Sequence, residues 1–304
     1  MAVSERLRRL VSHTGRGGWQ PVPAPRRPVL FVNPRSGGGR ARRERIAEHA
    51  RELGIGAVVL DTGQDLSELV EDAIADGADA LGIAGGDGSL AVIAEAARRE
   101  DLPMICIPGG TRNHFAADLG IRRSDLVGSL GAFTDGVERR VDIGEVNGRM
   151  FLNNVCLGVY GEAVRQQAYR DAKLRTLIDT ANAVRTATTE RASMSIMDAR
   201  GREHPEPAVV IVSNNPYAIG KPRRGARPAL DGGRLGIIVI DAPGTGPRGP
   251  GSVWTAPDLE VQANGPVRAG LDGEAVDLDA PLRFTVRPAA LRVRISRAHA
   301  DAVR

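Results

Sequence analysis

The chain has 304 residues, of which 42 % are hydrophobic and 26 % charged, and its formal net charge is +4. These values are ordinary for a globular protein of about two domains, and no apolar run reaches the roughly 20 residues of a transmembrane helix. Aromatic residues, at 3 %, are too few to indicate nucleic-acid binding by base stacking. The two cysteines, Cys106 and Cys156, lie in apolar runs, and the N-terminus lacks the apolar segment of a secretory signal. We therefore expect a cytoplasmic protein without a nucleic-acid partner.

The first half of the chain alternates between strand-like and helix-like segments after a basic, flexible arm over residues 1–27. The predicted strands are 29–32, 58–60, 80–84 and 103–107, and the predicted helices are 41–53, 66–75 and 90–99, with a helical pattern continuing to about residue 133. This alternation is typical of βαβ units. The sequence therefore predicts an α/β domain over 28–136, with a parallel sheet and flanking helices.

The second half consists mainly of short alternating segments separated by turns. The predicted strands are 140–146, 150–157, 193–198, 209–213, 235–240, 259–263, 282–286 and 291–295. This pattern favours an antiparallel β domain, which we place at 137–296 and follow with a tail at 297–304. A helical insertion over 162–191 is basic and amphipathic, so it could rest on an anionic membrane or be a solvated helix face.

Three glycine-containing loops follow predicted strands, at residues 33–39, 85–88 and 108–113. Ligands of an open α/β sheet bind outside the carboxyl ends of its strands, so the three loops are expected at one edge. Backbone amides in a glycine turn before a helix bind phosphate. The first loop has no lysine and is not a Walker A loop, and by itself it could be an ordinary turn.

Asp87 is the unusual residue of the second loop, Gly85-Gly86-Asp87-Gly88-Ser89. A carboxylate repels phosphate unless a metal ion lies between them or the carboxylate takes up a proton. Glycines together with a fixed aspartate therefore indicate phosphoryl transfer rather than passive phosphate binding.

Several segments, taken in order, resemble the diacylglycerol kinase catalytic family, which includes sphingosine, ceramide and bacterial lipid kinases and shares its fold with NAD kinases. They are Asn33-Pro34-x-Ser36-Gly37, Gly85-Gly86-Asp87-Gly88-Ser89, Pro108-x-Gly110-Thr111-x-Asn113, Val141-Asp142-Ile143-Gly144, Phe151-Leu152-Asn153 and Leu271-Asp272-Gly273-Glu274. The resemblance covers roughly residues 28–296. It implies an α/β N-terminal nucleotide-binding domain packed on an antiparallel β-sandwich C-terminal domain, with ATP and the acceptor meeting in the cleft.

The resemblance also implies roles for individual residues. Those expected to contact ATP are Asn33, Ser36, Gly37, Gly85, Gly86, Asp87, Gly88, Ser89, Gly110, Thr111 and Asn113. Mg²⁺ is expected at Asp87, Asp142 and Asp231, and the catalytic residues are expected to be Asp87, Asp272 and Glu274. Glu274 is similar to the general base of the family, which a lipid hydroxyl requires because its own pKa is high.

The residues themselves leave two alternatives open. Asp272-Gly273 is also a strong signal for a hairpin turn between strands. Asp142 could be a strand-edge residue that pairs with Arg139 or Arg140.

Three positions depart from the family pattern. His114 stands where the family usually has aspartate, and an imidazole cannot hold Mg²⁺ as a carboxylate does. It could instead contact a phosphate or an anionic head group, or be solvated at the start of a helix. Ser89 replaces threonine and keeps the hydroxyl that can cap a helix. Only Asp231 remains of an acidic pair that supports a structural metal in the family, which puts that site in doubt.

The function implied is an ATP-dependent lipid kinase that docks peripherally on the membrane and phosphorylates a lipid hydroxyl, with diacylglycerol as the favoured acceptor. It could act as a homodimer. Alternative acceptors are a sphingoid base or another lipid alcohol. A soluble kinase like the NAD kinases is another alternative, although Asn154 follows Asn153 where those enzymes usually have glutamate. A degenerate member that binds lipid or nucleotide without turnover also stays open.

Overall fold

The computed structural model describes residues 18–158, 193–218, 226–241 and 252–301. The helical insertion predicted over 162–191 and most of the predicted N-terminal arm lie outside the described residues. The described chain divides into two compact units: an α/β unit of residues 18–141 and 289–301, and a β unit formed by the described part of residues 142–288. The last segment thus returns to the α/β unit from residue 289, whereas the sequence boundaries place it in the β-rich domain until residue 296.

The α/β unit contains a parallel sheet with the strand order β5-β4-β2-β3, and the C-terminal part of strand β17 lies parallel to β5. A short strand, β1, pairs antiparallel with β6. The strands that begin in this unit are β1 (Gln20–Pro21), β2 (Pro28–Val32), β3 (Gly56–Val59), β4 (Ala80–Gly85), β5 (Met104–Pro108) and β6 (Gly136–Val146). The helices are α1 (Ser36–Arg43, interrupted by left-handed backbone at Gly37, Gly38 and Gly39), α2 (Ile46–Glu52), α3 (Leu66–Ala75), α4 (Asp87–Arg99), α5 (His114–Asp118), α6 (Leu126–Ser129) and α7 (Arg297–Asp301), with a 3₁₀ turn at Leu130–Phe133.

The central strands of this sheet are buried on both faces. Every residue of β4 and β5 is buried, which explains why these strands read as continuous apolar runs in the sequence. Side chains of the β2, β4 and β5 strands pack with α1, α2, α6 and the 3₁₀ turn in one apolar cluster. The sheet edge that carries the glycine loops therefore rests on a closely packed core.

The helix predicted over 41–53 is two helices, α1 and α2, separated near Arg45. This residue has a φ of 50°, in the left-handed region, and immediately precedes α2. Left-handed backbone ends a helix because it cannot continue the hydrogen-bond ladder. The helical pattern predicted up to residue 133 is likewise divided into α5, α6 and the 3₁₀ turn.

The β unit contains two antiparallel sheets that share one core. Six strands pair in the order β13-β12-β11-β8-β15-β16, and a second group pairs in the order β10-β9-β14 followed by the first part of β17. Apolar side chains from both groups form a single buried cluster, in which the Phe151 and Phe284 rings meet edge to face. The strands are β7 (Arg149–Phe151), β8 (Asn154–Gly158), β9 (Met194–Met197), β10 (Glu203–Pro205), β11 (Pro207–Asn214), β12 (Leu235–Asp241), β13 (Ser252–Ala256), β14 (Asp258–Ala263), β15 (Val267–Leu271), β16 (Glu274–Leu278) and β17 (Leu282–Ser296).

The predicted fold class, a parallel α/β domain followed by an antiparallel β-sandwich, is confirmed. Several details differ from the sequence prediction. Strands β10 and β13 were not predicted, and β1 lies within the predicted N-terminal arm. The strand predicted over 150–157 is two strands, β7 and β8, and the strands predicted at 282–286 and 291–295 are the single strand β17. Strands β15 and β16 were predicted only as the flanks of a turn. Within the described residues, no helix is long and apolar enough to cross a membrane.

Replacing Gly82 with alanine is expected to lower the free energy of unfolding by about 1–3 kcal/mol, because a Cβ atom at this position overpacks the core. It would lie 2.5 Å from Cζ of Phe133 and 3.2 Å from Cδ1 of Leu30. Urea denaturation measures the change. The control is Gly265→Ala, where a Cβ atom has no neighbour within 4 Å, and equal effects of the two substitutions would contradict the prediction.

Candidate active site

The three glycine loops begin at the carboxyl ends of the neighbouring strands β2, β4 and β5. They contact one another directly. The backbone N–H of Asn33 donates to the carbonyl of Ala84 at 3.0 Å, and the Asn33 amide lies 3.4 Å from the Ser89 hydroxyl. A Cβ atom on Gly110 would lie 2.5 Å from the Cα of Gly86. The structure therefore brings the predicted nucleotide-contacting loops together at one edge of the sheet.

Glycine is required where these backbones approach each other. Gly37 has a φ of 57°, and a Cβ atom on it would collide with the carbonyl oxygen of Gly109. Its neighbours Gly38 and Gly39 are also left-handed, with φ values of 67° and 83°. Because these residues carry no side chains, the sheet edge presents backbone to a ligand, as a phosphate site needs.

Asn113 fixes the shape of the third loop. It is 4 % exposed, and its Oδ1 accepts the Gly110 N–H at 2.9 Å. Its Nδ2 donates to the carbonyls of Pro108 at 3.1 Å and Gly110 at 2.7 Å. The side chain is thus engaged within its own loop. This arrangement orders the backbone of the loop, while Thr111, two residues earlier, is exposed.

Asp87 is the first residue of α4 and follows the N-cap residue Gly86. The Oδ1 atom is buried and makes no hydrogen bond to any described residue. Burial raises the pKa of Asp87, whereas His114, Arg112 and Arg123 act in the opposite direction. A buried carboxylate oxygen without a donor is well suited to a hard cation such as Mg²⁺.

A basic cavity of about 600 Å³ lies beside the first loop. Its lining contains three arginines and no acidic residue, and the guanidinium of Arg42 has no ion pair or hydrogen bond with the described residues. The lining residues are Pro34, Arg35, Gly38, Gly39, Arg42 and Arg43. Sequence reasoning did not select Arg42 or Arg43. The available signal was the cluster of Arg40, Arg42 and Arg43 directly after the glycines of the first loop.

In the β unit, Asp272 and Gly273 form a two-residue turn between β15 and β16. Their φ values are 48° and 93°, and Leu271 faces Glu274 across the hairpin. Left-handed backbone at both turn residues is the geometry that Asp-Gly favours in a tight hairpin. The hairpin interpretation is therefore correct, and the turn also presents Glu274. That side chain is exposed and has no hydrogen bond or ion pair with described residues.

Three consecutive backbone N–H groups hold the Asp272 carboxylate. Leu152 donates to Oδ2 at 2.7 Å, and Asn153 and Asn154 donate to Oδ1 at 2.7 and 3.0 Å. Burial raises the pKa of Asp272 to about 6, although these three N–H groups and Arg227 favour the ionised form. Both carboxylate oxygens of Asp272 are thus used to fix the turn, whereas the Glu274 carboxylate next to it is available for chemistry.

Asp142 is buried and bonded to polar groups of its own unit. Its Oδ2 accepts from Asn215 Nδ2 at 3.1 Å and from the Gly233 N–H at 2.6 Å. Arg140, one of the two partners considered for it, instead binds Asp101 at 2.8 Å. The described residues contain no group of three or more His, Cys, Asp or Glu side chains that could hold a metal ion. A metal role for Asp142 and Asp231 stays a prediction.

Comparison with known proteins shows which proteins this chain is similar to. The model of the diacylglycerol kinase catalytic domain matches residues 27–146. A Pseudomonas fluorescens protein named "Probable lipid kinase YegS-like" is 32 % identical over 251 residues, which cover 76 % of this chain and 82 % of that protein. A Bacillus subtilis protein named "Diacylglycerol kinase" is 43 % identical over 72 residues, or 23 % of this chain and 24 % of that one.

The fold is shared with a solved structure. A Bacillus anthracis protein described as a diacylglycerol kinase aligns with a TM-score of 0.63 and 17 % identity, over 90 % of this chain and 98 % of that one. The class of protein that the fold and the sequence define is therefore a kinase of the two-domain α/β and β-sandwich type. The chain belongs to the diacylglycerol kinase family, and the resemblance drawn from its sequence motifs is confirmed.

Replacing Asp272 with asparagine is expected to lower the free energy of unfolding by about 1–3 kcal/mol, because an amide nitrogen would face at least one N–H donor and leave it unsatisfied. Urea denaturation measures the loss. The control is Asp277→Asn on the same hairpin, where the side chain is 66 % exposed and the expected change is within about 1 kcal/mol. If Asp272→Asn were as stable as the control, the amide contacts would not hold the turn.

Proposed function

We propose that the protein is an ATP-dependent lipid kinase that transfers the γ-phosphoryl group of ATP to a lipid hydroxyl, with diacylglycerol as the first candidate acceptor. The observation that carries the proposal is the meeting of three glycine loops around Asp87 at one sheet edge in a member of the diacylglycerol kinase family. The names of the relatives, a lipid kinase and a diacylglycerol kinase, support this choice of acceptor class.

The α/β unit is proposed to bind ATP. The phosphates would contact Ser36, Gly37 and the loop from Gly85 to Ser89, with Thr111 and the backbone of Gly110 completing the site. The basic cavity beside Arg42 adds positive charge where a polyphosphate would approach, and arginine suits phosphate because its guanidinium donates in a planar fork. Backbone amides and arginines together favour an anionic ligand.

Asp87 is the proposed ligand of Mg²⁺. Its buried Oδ1 lacks a hydrogen-bond donor among the described residues, and burial disfavours its charge unless a proton or a cation compensates. Mg²⁺ bound there would offset the charge that develops on the phosphates during transfer. The carboxylate thus has the donor type, the burial and the unsatisfied oxygen that the ion requires.

Glu274 is the proposed general base. It would accept the proton of the lipid hydroxyl while the hydroxyl oxygen forms its bond to the γ-phosphorus and the bond from that phosphorus to the β–γ bridging oxygen breaks. An exposed carboxylate at the start of a strand can return this proton to solvent after each turnover. Asp272 supports the reaction by holding the turn on which Glu274 lies.

Replacing Glu274 with glutamine is expected to lower kcat by about 10²–10⁴-fold, because an amide cannot accept the hydroxyl proton. The assay follows transfer of labelled phosphate from ATP to diacylglycerol, a sphingoid base, a long-chain alcohol and NAD, each with and without mixed micelles. The control is Asp277→Asn, three residues further along β16, with wild-type kcat expected. Full activity of Glu274→Gln would remove the base assignment.

The acceptor panel also separates the competing functions. Phosphorylation of NAD without micelles would support a soluble kinase. Binding of ATP without any phosphorylated product would support a non-catalytic member of the family. Phosphorylation of diacylglycerol in preference to the other acceptors is the result that the proposal expects.

Replacing Asp87 with asparagine is expected to raise the Mg²⁺ concentration for half-maximal activity by more than about 10-fold. Loss of a residue that only supports a metal ligand already costs roughly that much, and Asp87 is proposed to contact the ion itself. Because the substitution removes a buried charge, the variant should be at least as stable as the wild type. Activity is titrated with Mg²⁺ at saturating ATP, and the exposed variant Asp72→Asn is the control. An unchanged Mg²⁺ requirement would contradict the assignment.

A further inference from the structure

Arg227 is a buried cation that the sequence analysis did not connect to the site. It is 3 % exposed, and arginine is almost never buried to this extent without partners that satisfy its donors. It precedes Pro228 in the segment that leads to Asp231. Its contacts therefore indicate which part of the β unit it holds in place.

The guanidinium of Arg227 contacts the segment that holds Asp272. Nη1 donates to the carbonyl of Leu152 and, at 2.9 Å, to the carbonyl of Asn214. Nη2 donates to Oδ1 of Asn153 at 2.8 Å. The guanidinium thus fixes the backbone carbonyl of Leu152 and the side chain of Asn153, two consecutive residues between β7 and β8.

Asn154, the next residue of this segment, is held indirectly. The Arg227 guanidinium lies over the ring of Tyr217, 6.0 Å from its centroid. The Tyr217 hydroxyl accepts a hydrogen bond from Nδ2 of Asn154 at 2.8 Å. Residues 152, 153 and 154 are the same three whose N–H groups donate to Asp272. The Arg227 guanidinium, the peptide groups of residues 152–154 and the Asp272 carboxylate therefore form one continuous polar network, in which each hydrogen bond polarises the next.

We propose that Arg227 is a positioning residue for the reaction: it fixes the backbone of residues 152–154, which hold Asp272 and thereby the turn that carries Glu274. This inference rests on the proposed function. Only Gly273 separates the anchored Asp272 from Glu274, so a displacement of the anchor is passed to the carboxylate that takes the proton. Misplacement of a reacting group by about 1 Å costs on the order of 100-fold in rate.

The test compares Arg227→Met and Arg227→Lys with Arg294→Met. Arg294 is a matched control because it is also buried, at 2 % exposure, and also donates to backbone carbonyls, those of Ala132 and Pro23. It has no hydrogen bond to residues 152–154. The measurements are kcat and KM for ATP, corrected for the folded fraction, and amide hydrogen exchange in peptides that cover 152–154 and 271–275.

Arg227→Met is expected to lower kcat by about 10- to 100-fold with KM for ATP changed less than about twofold, and to speed exchange in both peptides. Arg227→Lys should recover part of kcat, because lysine keeps the charge but not the fork. Arg294→Met should lower stability and leave kcat and both peptides close to wild type.

Equal kcat in Arg227→Met and Arg294→Met, per folded molecule, would overturn the proposal, and so would unchanged exchange in the two peptides. If Arg227→Met does not fold, Arg227→Lys gives the same comparison with a smaller expected effect. A wild type that is inactive on every acceptor would overturn the proposed function instead. Amide hydrogen exchange of residues 152–154 would then still decide whether Arg227 holds this segment in place.

Discussion

Close backbone contact among three loops at the carboxyl edge of the parallel sheet is the constraint on which the candidate nucleotide site depends. The loop of Gly37 meets the backbone of Gly109, and the backbone of Gly110 meets that of Gly86. A side chain on Gly37 or Gly110 would push the loops apart. Glycine therefore leaves this edge composed of backbone amides, with few polar side chains such as Asn33, and a surface of this kind suits phosphate without a Walker A lysine.

The β unit fixes two of its turns by buried polar networks rather than by close backbone contact. Two of its turns are held by a carboxylate that accepts backbone N–H groups: Asp142 binds Gly233, and Asp272 binds residues 152–154. In each case a second buried side chain, Asn215 or Arg227, completes the network. Such networks stabilise one geometry strongly when every donor and acceptor is satisfied, and they are costly when one partner is lost.

Local signals made much of this structure predictable. Strand β4 is buried on both faces and reads as an apolar run, and Asp272-Gly273 is a hairpin turn because both residues adopt left-handed backbone readily. The division of the predicted helix 41–53 was not predictable, because nothing in arginine itself requires the left-handed conformation of Arg45. Arg227 was missed for another reason: its partners Leu152 and Asn153 lie about 75 residues away, and only the folded β unit brings them together.

The environments of the two candidate catalytic carboxylates separate their roles. The Oδ1 atom of Asp87 is buried and lacks a donor among the described residues, so a bound cation would satisfy it. A group in that environment suits a cation that stays bound through the reaction. Glu274 is exposed on the first residue of β16, where a proton can be exchanged with water in every cycle. Metal binding by Asp87 and proton removal by Glu274 is therefore the division of roles that burial favours, and exchanging them would place the transient proton on the less accessible group.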